Sequence, residues 1–136
     1  MKTATMTMLV LLVMALTPDY LINAQSSNYK NINSNSIAAL NEGINSDNPG
    51  VRRSSIYMAG YYKIDEATDA LKKQIKREKN PNTRILIALS LYYIGNPEGM
   101  KAVKNISEND SDMKVKRMST AIYRIYIENC QTVSQR

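Results

Sequence analysis

The chain has 136 residues, enough for one domain of ordinary size and too few for two. Hydrophobic residues make up 43% and charged residues 22%, a balance that supports a folded core and argues against wholesale disorder. Histidine is absent and Cys130 is the single cysteine, which excludes His-based triads, His-ligated metals, Cys-x-x-Cys redox chemistry and an internal disulfide; 18 basic against 12 acidic residues leave a net charge of +6.

The first segment has the layout of a secretory signal peptide. Lys2 supplies a minimal positive start, residues 8–16 are an unbroken apolar run of nine, Pro18 ends it, and Ala24 offers a cleavage position that would leave Gln25 as the mature terminus. Spanning a ~30 Å hydrocarbon core takes about 20 apolar residues, so the run is too short to cross. No cysteine stands near the cleavage region to carry a lipid, and no stable membrane anchor is expected. The competing reading is a buried or membrane-surface helix that opens a cytosolic domain. The layout therefore predicts a signal peptide over 1–24 and export to a periplasmic or extracellular space. Residues 25–35, rich in Ser and Asn, are expected to be a flexible lead-in, with a helical domain over 36–129 and a tail over 130–136.

The rest of the chain is built on a repeating unit. Asn48-Pro49-Gly50-Val51-Arg52 returns as Asn80-Pro81-Asn82-Thr83-Arg84, and the same shift of 32 carries Thr83-Arg84 onto Val115-Lys116, Tyr61 onto Tyr93, Leu71 onto Val103 and Lys72 onto Lys104. Each unit divides into two helices. Asn-Pro makes the opening turn, where proline removes no interior helical N–H. Val51, Ser55, Met58, Ala59 and Tyr62 then share one face of a 3.6-residue period, and Ala67, Leu71 and Ile75 share a second, flanked by Ala70.

In the next unit Ile85, Ala88, Leu89, Leu91 and Tyr92 lie on the first helix, and Met100, Val103 and Ile106 on the second, with Gly95-Asn96-Pro97 as the turn between them. A last helix carries Val115, Met118, Ile122, Ile125 and Tyr126, and Ile37, Leu40 and Ile44 mark the second helix of a partial leading unit. No segment alternates as a half-buried strand over more than a few residues. The fold class expected is all-α.

These residues resemble the HEAT-like repeat family, in the short form related to phycobilisome lyases. The resemblance rests on Arg84, Ala88, Leu91, Ile94-Gly95-Asn96-Pro97-Glu98-Gly99 and Val103, and more loosely on Val51-Arg52, Ala59, Gly60, Ala67 and Leu71. Lys116 replaces the arginine in the third copy, and no second helix follows it. The resemblance implies a short right-handed α-solenoid of antiparallel helix pairs. It implies no single function, because the family hosts scaffolds, adaptors, a few lyases and nucleic-acid binders.

Arg52, Arg84 and Lys116 recur at the period and are read first as repeat-junction residues bridging to acidic or carbonyl groups of the adjacent loop, with Asp47 and Asp112 as the expected partners. Lys72, Lys73, Lys76, Lys101 and Lys104 form a basic face on the second helices. That face is either a solvated surface or a groove for an acidic partner. Of the adjacent pairs Tyr61-Tyr62 and Tyr92-Tyr93, one ring each is expected at the surface, since neighbours on a helix stand about 100° apart. No catalytic constellation, cofactor loop or metal-ligand set emerges: Asp65, Glu66 and Asp69 read as helix N-terminal charge, and Cys130 has no activating partner in the sequence.

The expected function is an exported, non-catalytic scaffold or adaptor that binds another protein with an acidic patch, with self-association through open repeat ends as a further expectation. Two alternatives stand beside it. One is an enzyme accessory of the bilin-lyase kind, which rests on the resemblance alone. The other is a basic cytosolic nucleic-acid-binding solenoid, motivated by a pI near 9.4 and disfavoured if the chain is exported.

Overall fold

In a computed structural model of the chain, residues 33–134 are described; the signal peptide expected at 1–24 and positions 25–32 of the lead-in lie outside the described residues. Those described form six α-helices and no strand: α1 (Ser34–Asn45), α2 (Pro49–Tyr61), α3 (Thr68–Arg77), α4 (Pro81–Ile94), α5 (Pro97–Asn109) and α6 (Met113–Ser134), with one 3-10 turn at Asp65–Ala67 before α3. The first begins slightly ahead of the expected boundary, at Ser34, and the last runs on through Ser134.

The helix starts follow from the chemistry of the cap. A helix leaves its first N–H groups without intrahelical acceptors, and a short amide or carboxylate side chain can supply one. Asn48 Oδ1 accepts from the N–H of Gly50 and Val51, Asn80 Oδ1 from Asn82 and Thr83, and Asp112 Oδ1 from Lys114 and Val115. These three caps stand one repeat apart and make the same pair of bonds. Asn33 and Asn96 cap α1 and α5 with one backbone bond each, from Ser36 and Glu98. Proline at the first position of α2, α4 and α5 costs no hydrogen bond there.

The helices pack in two layers. First helices α2, α4 and α6 lie in series, and second helices α1, α3 and α5 form the other layer. Between them sit Ile56, Ala59, Leu71, Ile87, Ala88, Leu91, Met100, Val103 and Val115, each at most 1% exposed. The backbones of α2 and α4 approach closely, and a Cβ added to Gly60 would stand 2.7 Å from Ser90 Cα. Only glycine permits it. Ser90 Oγ donates to the Ile56 carbonyl at 2.9 Å in the same contact, so the buried hydroxyl is satisfied.

Four residues expected on apolar core faces are surface residues. On α2, Val51 is 48% and Met58 44% exposed, while Ile56 takes the burial; on α6, Met118 is 42% and Ile125 44% exposed, while Val115, Ser119 and Ile122 are buried. For Val51 and Met58 the cause is position in the layer. By register Val51 and Met58 match Thr83 and Ser90, the buried face that α4 turns toward α2. No described first-layer helix lies on that side of α2. Ala67, Ala70, Leu71 and Ile75 on the α3 side, and Met100, Val103 and Ile106 on α5, are buried as expected.

The two first helices end differently. Gly95 closes α4 in the left-handed region at φ 78°, its N–H bonded to Leu91 O. The matching position in the preceding repeat is Lys63, also left-handed at φ 51°. Lys63 N–H bonds Gly60 O and Ile64 N–H bonds Ala59 O, the paired closure of a Schellman motif. A non-glycine residue there carries a steric penalty that Gly95 does not.

Candidate functional site

Among the expected site residues, the junction arginines are held most firmly. Arg52 Nη1 donates to the carbonyls of Ser46 and Asp47 at 2.6 and 3.2 Å, and its Nε pairs with Glu78 Oε2 at 2.8 Å. Arg84 does the same one repeat later: Nη1 donates to the Glu78 and Lys79 carbonyls, while Nε and Nη2 grip the two oxygens of Asp110 at 2.8 and 2.9 Å. In both, the carboxylate comes from just past the end of the next second helix.

Of the two expected loop partners, Asp47 is met through its carbonyl and Asp112, which caps α6, is not met by an arginine; Glu78 and Asp110 are the acids. Lys116 occupies the third register without an ion pair among the described residues. Glu78 and Asp110 also accept the N–H of the next cap residue, Asn80 and Asp112. One acid thus ties helix end, loop and following helix together. Burial pushes the Glu78 carboxyl up, but the Asn80 N–H, the Gln74 amide and the Arg52 guanidinium outweigh it and hold the group below the ordinary 4.5. Side chains one repeat apart reinforce this frame, through Arg77 to Asn45 Oδ1 at 2.6 Å and Lys114 to Asn82 Oδ1 at 2.9 Å.

The basic face divides. Lys72, Lys76 and Lys101, with Glu98 and Asn105, line one groove of about 490 Å³ between α3 and α5, whose apolar lining is Ile75, Ala102 and Ile106. Lys73 and Lys104, both exposed, lie outside that lining. Carboxylates on the same helices already pair with three of the five: Asp69 with Lys72 at 3.1 Å, Glu98 with Lys101 at 2.6 Å and Glu108 with Lys104 at 4.0 Å. The hydrogen-bonded Glu98–Lys101 pair lowers the acid's pKa and raises the amine's. Lys76 makes no ion pair among the described residues.

The opposite layer displays tyrosines. Tyr61 and Tyr93 are 57% and 55% exposed while Tyr62 and Tyr92 are half-buried, so one ring of each adjacent pair reaches the surface as expected. Tyr57 stacks on Tyr61 with ring centroids 5.7 Å apart, and Tyr61 meets Tyr62 edge-on at 5.0 Å. Tyr126 is pushed above its ordinary pKa first by burial, then by its hydrogen bond with Cys130, which lies exposed on α6.

Asp65 and Glu66 sit in the 3-10 turn and Asp69 in the first turn of α3, as helix N-terminal charge; Asp65 accepts from Asn96 at 2.7 Å. Among the described residues no group of three His, Cys, Asp or Glu side chains is placed to hold a metal, and no helix is long and apolar enough to cross a membrane.

A family model described as HEAT repeats matches residues 37–122, which takes in α1 through the middle of α6. No curated protein matches the chain.

Proposed function

The chain belongs to the HEAT-repeat family, and from that premise we propose that it is an exported, non-catalytic scaffold or adaptor that binds an acidic segment of another protein. HEAT repeats typically bind proteins and are typically non-catalytic. The observation that carries the finer reading is the groove between α3 and α5. It sets three cations and one acid, Glu98, over an apolar floor, a net positive lining in a layer whose helices are fixed by the arginine junctions. Such a site attracts acidic partners at long range and holds them by burial at short range. Export is supported by the layout of residues 1–24.

Lysine-reactive cross-linking of the native secreted or periplasmic fraction, read by mass spectrometry, tests both parts. The expected result is a chain beginning near Gln25 and linked through Lys72, Lys76 or Lys101 to one recurring acidic protein. Lys72→Glu with Lys101→Glu should weaken that complex by at least about tenfold. A chain retaining Met1 in the cytosol refutes export, and a complex indifferent to charge reversal refutes the groove.

A further inference from the structure

Packing asks for no apolar residue at an exposed position, so exposed apolar side chains that return at the repeat period call for a reason outside the core. Tyr61, Tyr93 and Ile125 share one register, one repeat apart, on α2, α4 and α6 in turn, and are 57%, 55% and 44% exposed. They form a row that crosses the first-helix layer from repeat to repeat. Two apolar hollows flank Tyr93. One, of about 490 Å³, lies over Leu86 and Leu89 beside the stacked Tyr57 and Tyr61; the other, of about 510 Å³, lies against Tyr92 and Tyr126. Lys63 lines both and is the one charged side chain in either lining. It is exposed, makes no ion pair among the described residues, and occupies the left-handed position where the next repeat has Gly95.

We propose that this row is a docking track for a proline-rich segment of a partner protein, bound as a polyproline II helix with an acidic side chain at Lys63. The spacing selects this conformation. Neighbouring packed helices lie roughly 8–10 Å apart, so side chains of one register recur along the track at about that distance. Polyproline II has three residues per turn rising about 3.1 Å each, so every third residue returns to the same face after about 9.3 Å. An extended strand repeats its face every two residues, about 6.7 Å, and an α-helix every turn, about 5.4 Å. Neither keeps step.

The chemistry agrees with the spacing. Proline rings pack on tyrosine faces, and the segment is already ordered when free. Its carbonyls have no internal partners and can accept from tyrosine hydroxyls. With no acid in either lining and a net charge of +6, the track repels a basic ligand and favours one carboxylate at Lys63. This site lies on the layer opposite the groove of Lys72 and Lys101 and does not depend on it.

The test is fluorescence anisotropy with the full chain and a short labelled peptide of Pro-x-x-Pro repeats, with leucine between the prolines and one terminal glutamate. Saturable binding is expected, weakened about tenfold or more by Tyr61→Ala or Tyr93→Ala. A scrambled peptide of the same composition should bind about tenfold more weakly. Lys63→Gly keeps the backbone conformation and should melt no lower than the parent, yet weaken binding about threefold or more and flatten its salt dependence. The pair Lys72→Glu and Lys101→Glu should leave binding unchanged. No saturation below about 1 mM, equal binding of the scrambled peptide, or indifference to Tyr93→Ala overturns the proposal. Loss of binding in the Lys72→Glu, Lys101→Glu chain assigns the peptide to the other layer, and a dimer dissolved by Tyr93→Ala assigns the row to a second copy; either also overturns it.

Discussion

Val51 and Met58 in the first repeat correspond by register to Thr83 and Ser90 in the second, and their burial is inverted. The apolar pair is 48% and 44% exposed, whereas the polar pair is 2% and 3% exposed. Hydrophobicity alone would order them the other way. What decides is the neighbour: α4 lies between α2 and α6 and buries whatever its flanks carry, while α2 has a described layer neighbour on one side only. In a stack, the position of a helix in its layer outranks the character of a single side chain.

The junctions differ in the same spirit, and substitutions there give the largest expected effects. Arg84→Met leaves Asp110, whose side chain is 7% exposed, with the Asp112 N–H as its one remaining bond and removes the guanidinium from both of its oxygens; it should destabilise by about 3–5 kcal/mol. Arg52→Met should cost less, about 2 kcal/mol, because Glu78 keeps its bonds from Gln74 and Asn80. Urea denaturation of the two variants ranks the junctions, and equal losses would show that these secondary bonds count for nothing. Since the folded Glu78 carboxyl lies below its ordinary 4.5, its contribution is complete above that value and is lost as pH falls through the folded one. Glu78→Gln should erase that part of the acid dependence in melts taken across pH.

Steric exchange at the inverted register gives the next effect. Ser90→Met must push against Gly60 and should cost about 1–3 kcal/mol, while Met58→Ser on the open face should stay within about 0.5 kcal/mol of the parent. A penalty at Met58 matching that at Ser90 would mean α2 is covered there after all. A change below that expected at Ser90 concerns the helix ends. Lys63→Gly should stabilise by about 1 kcal/mol, and Gly95→Lys should destabilise by a similar amount, both read from thermal midpoints.

Much of this architecture is legible in the sequence because its signals are local. Asn48-Pro49 and Asn80-Pro81 announce their own caps, Gly95-Asn96-Pro97 announces a turn, and the repeat period aligns the copies without any structure. The arginines are legible as junction residues for the same reason. Their acids are not: Glu78 and Asp110 lie a full second helix downstream, so the pairing exists only once that helix has returned to the loop. Ile56 and Ile87 escape such a reading, and Val51 and Met58 are misplaced by it, because a single apolar stripe does not record how many neighbours a helix will have. The left-handed backbone at Lys63 gives no signal, since lysine carries none of the preference that marks Gly95.

Hydrogen exchange of the native chain, resolved by helix, tests most directly the claim that a layered stack with α4 at its centre holds this molecule together. The account predicts the slowest exchange in α4, faster exchange in α1 and in the last turns of α6, and selective loss of protection in α4 and α5 on Arg84→Met. Protection in α1 or the end of α6 that outlasts α4 would contradict it.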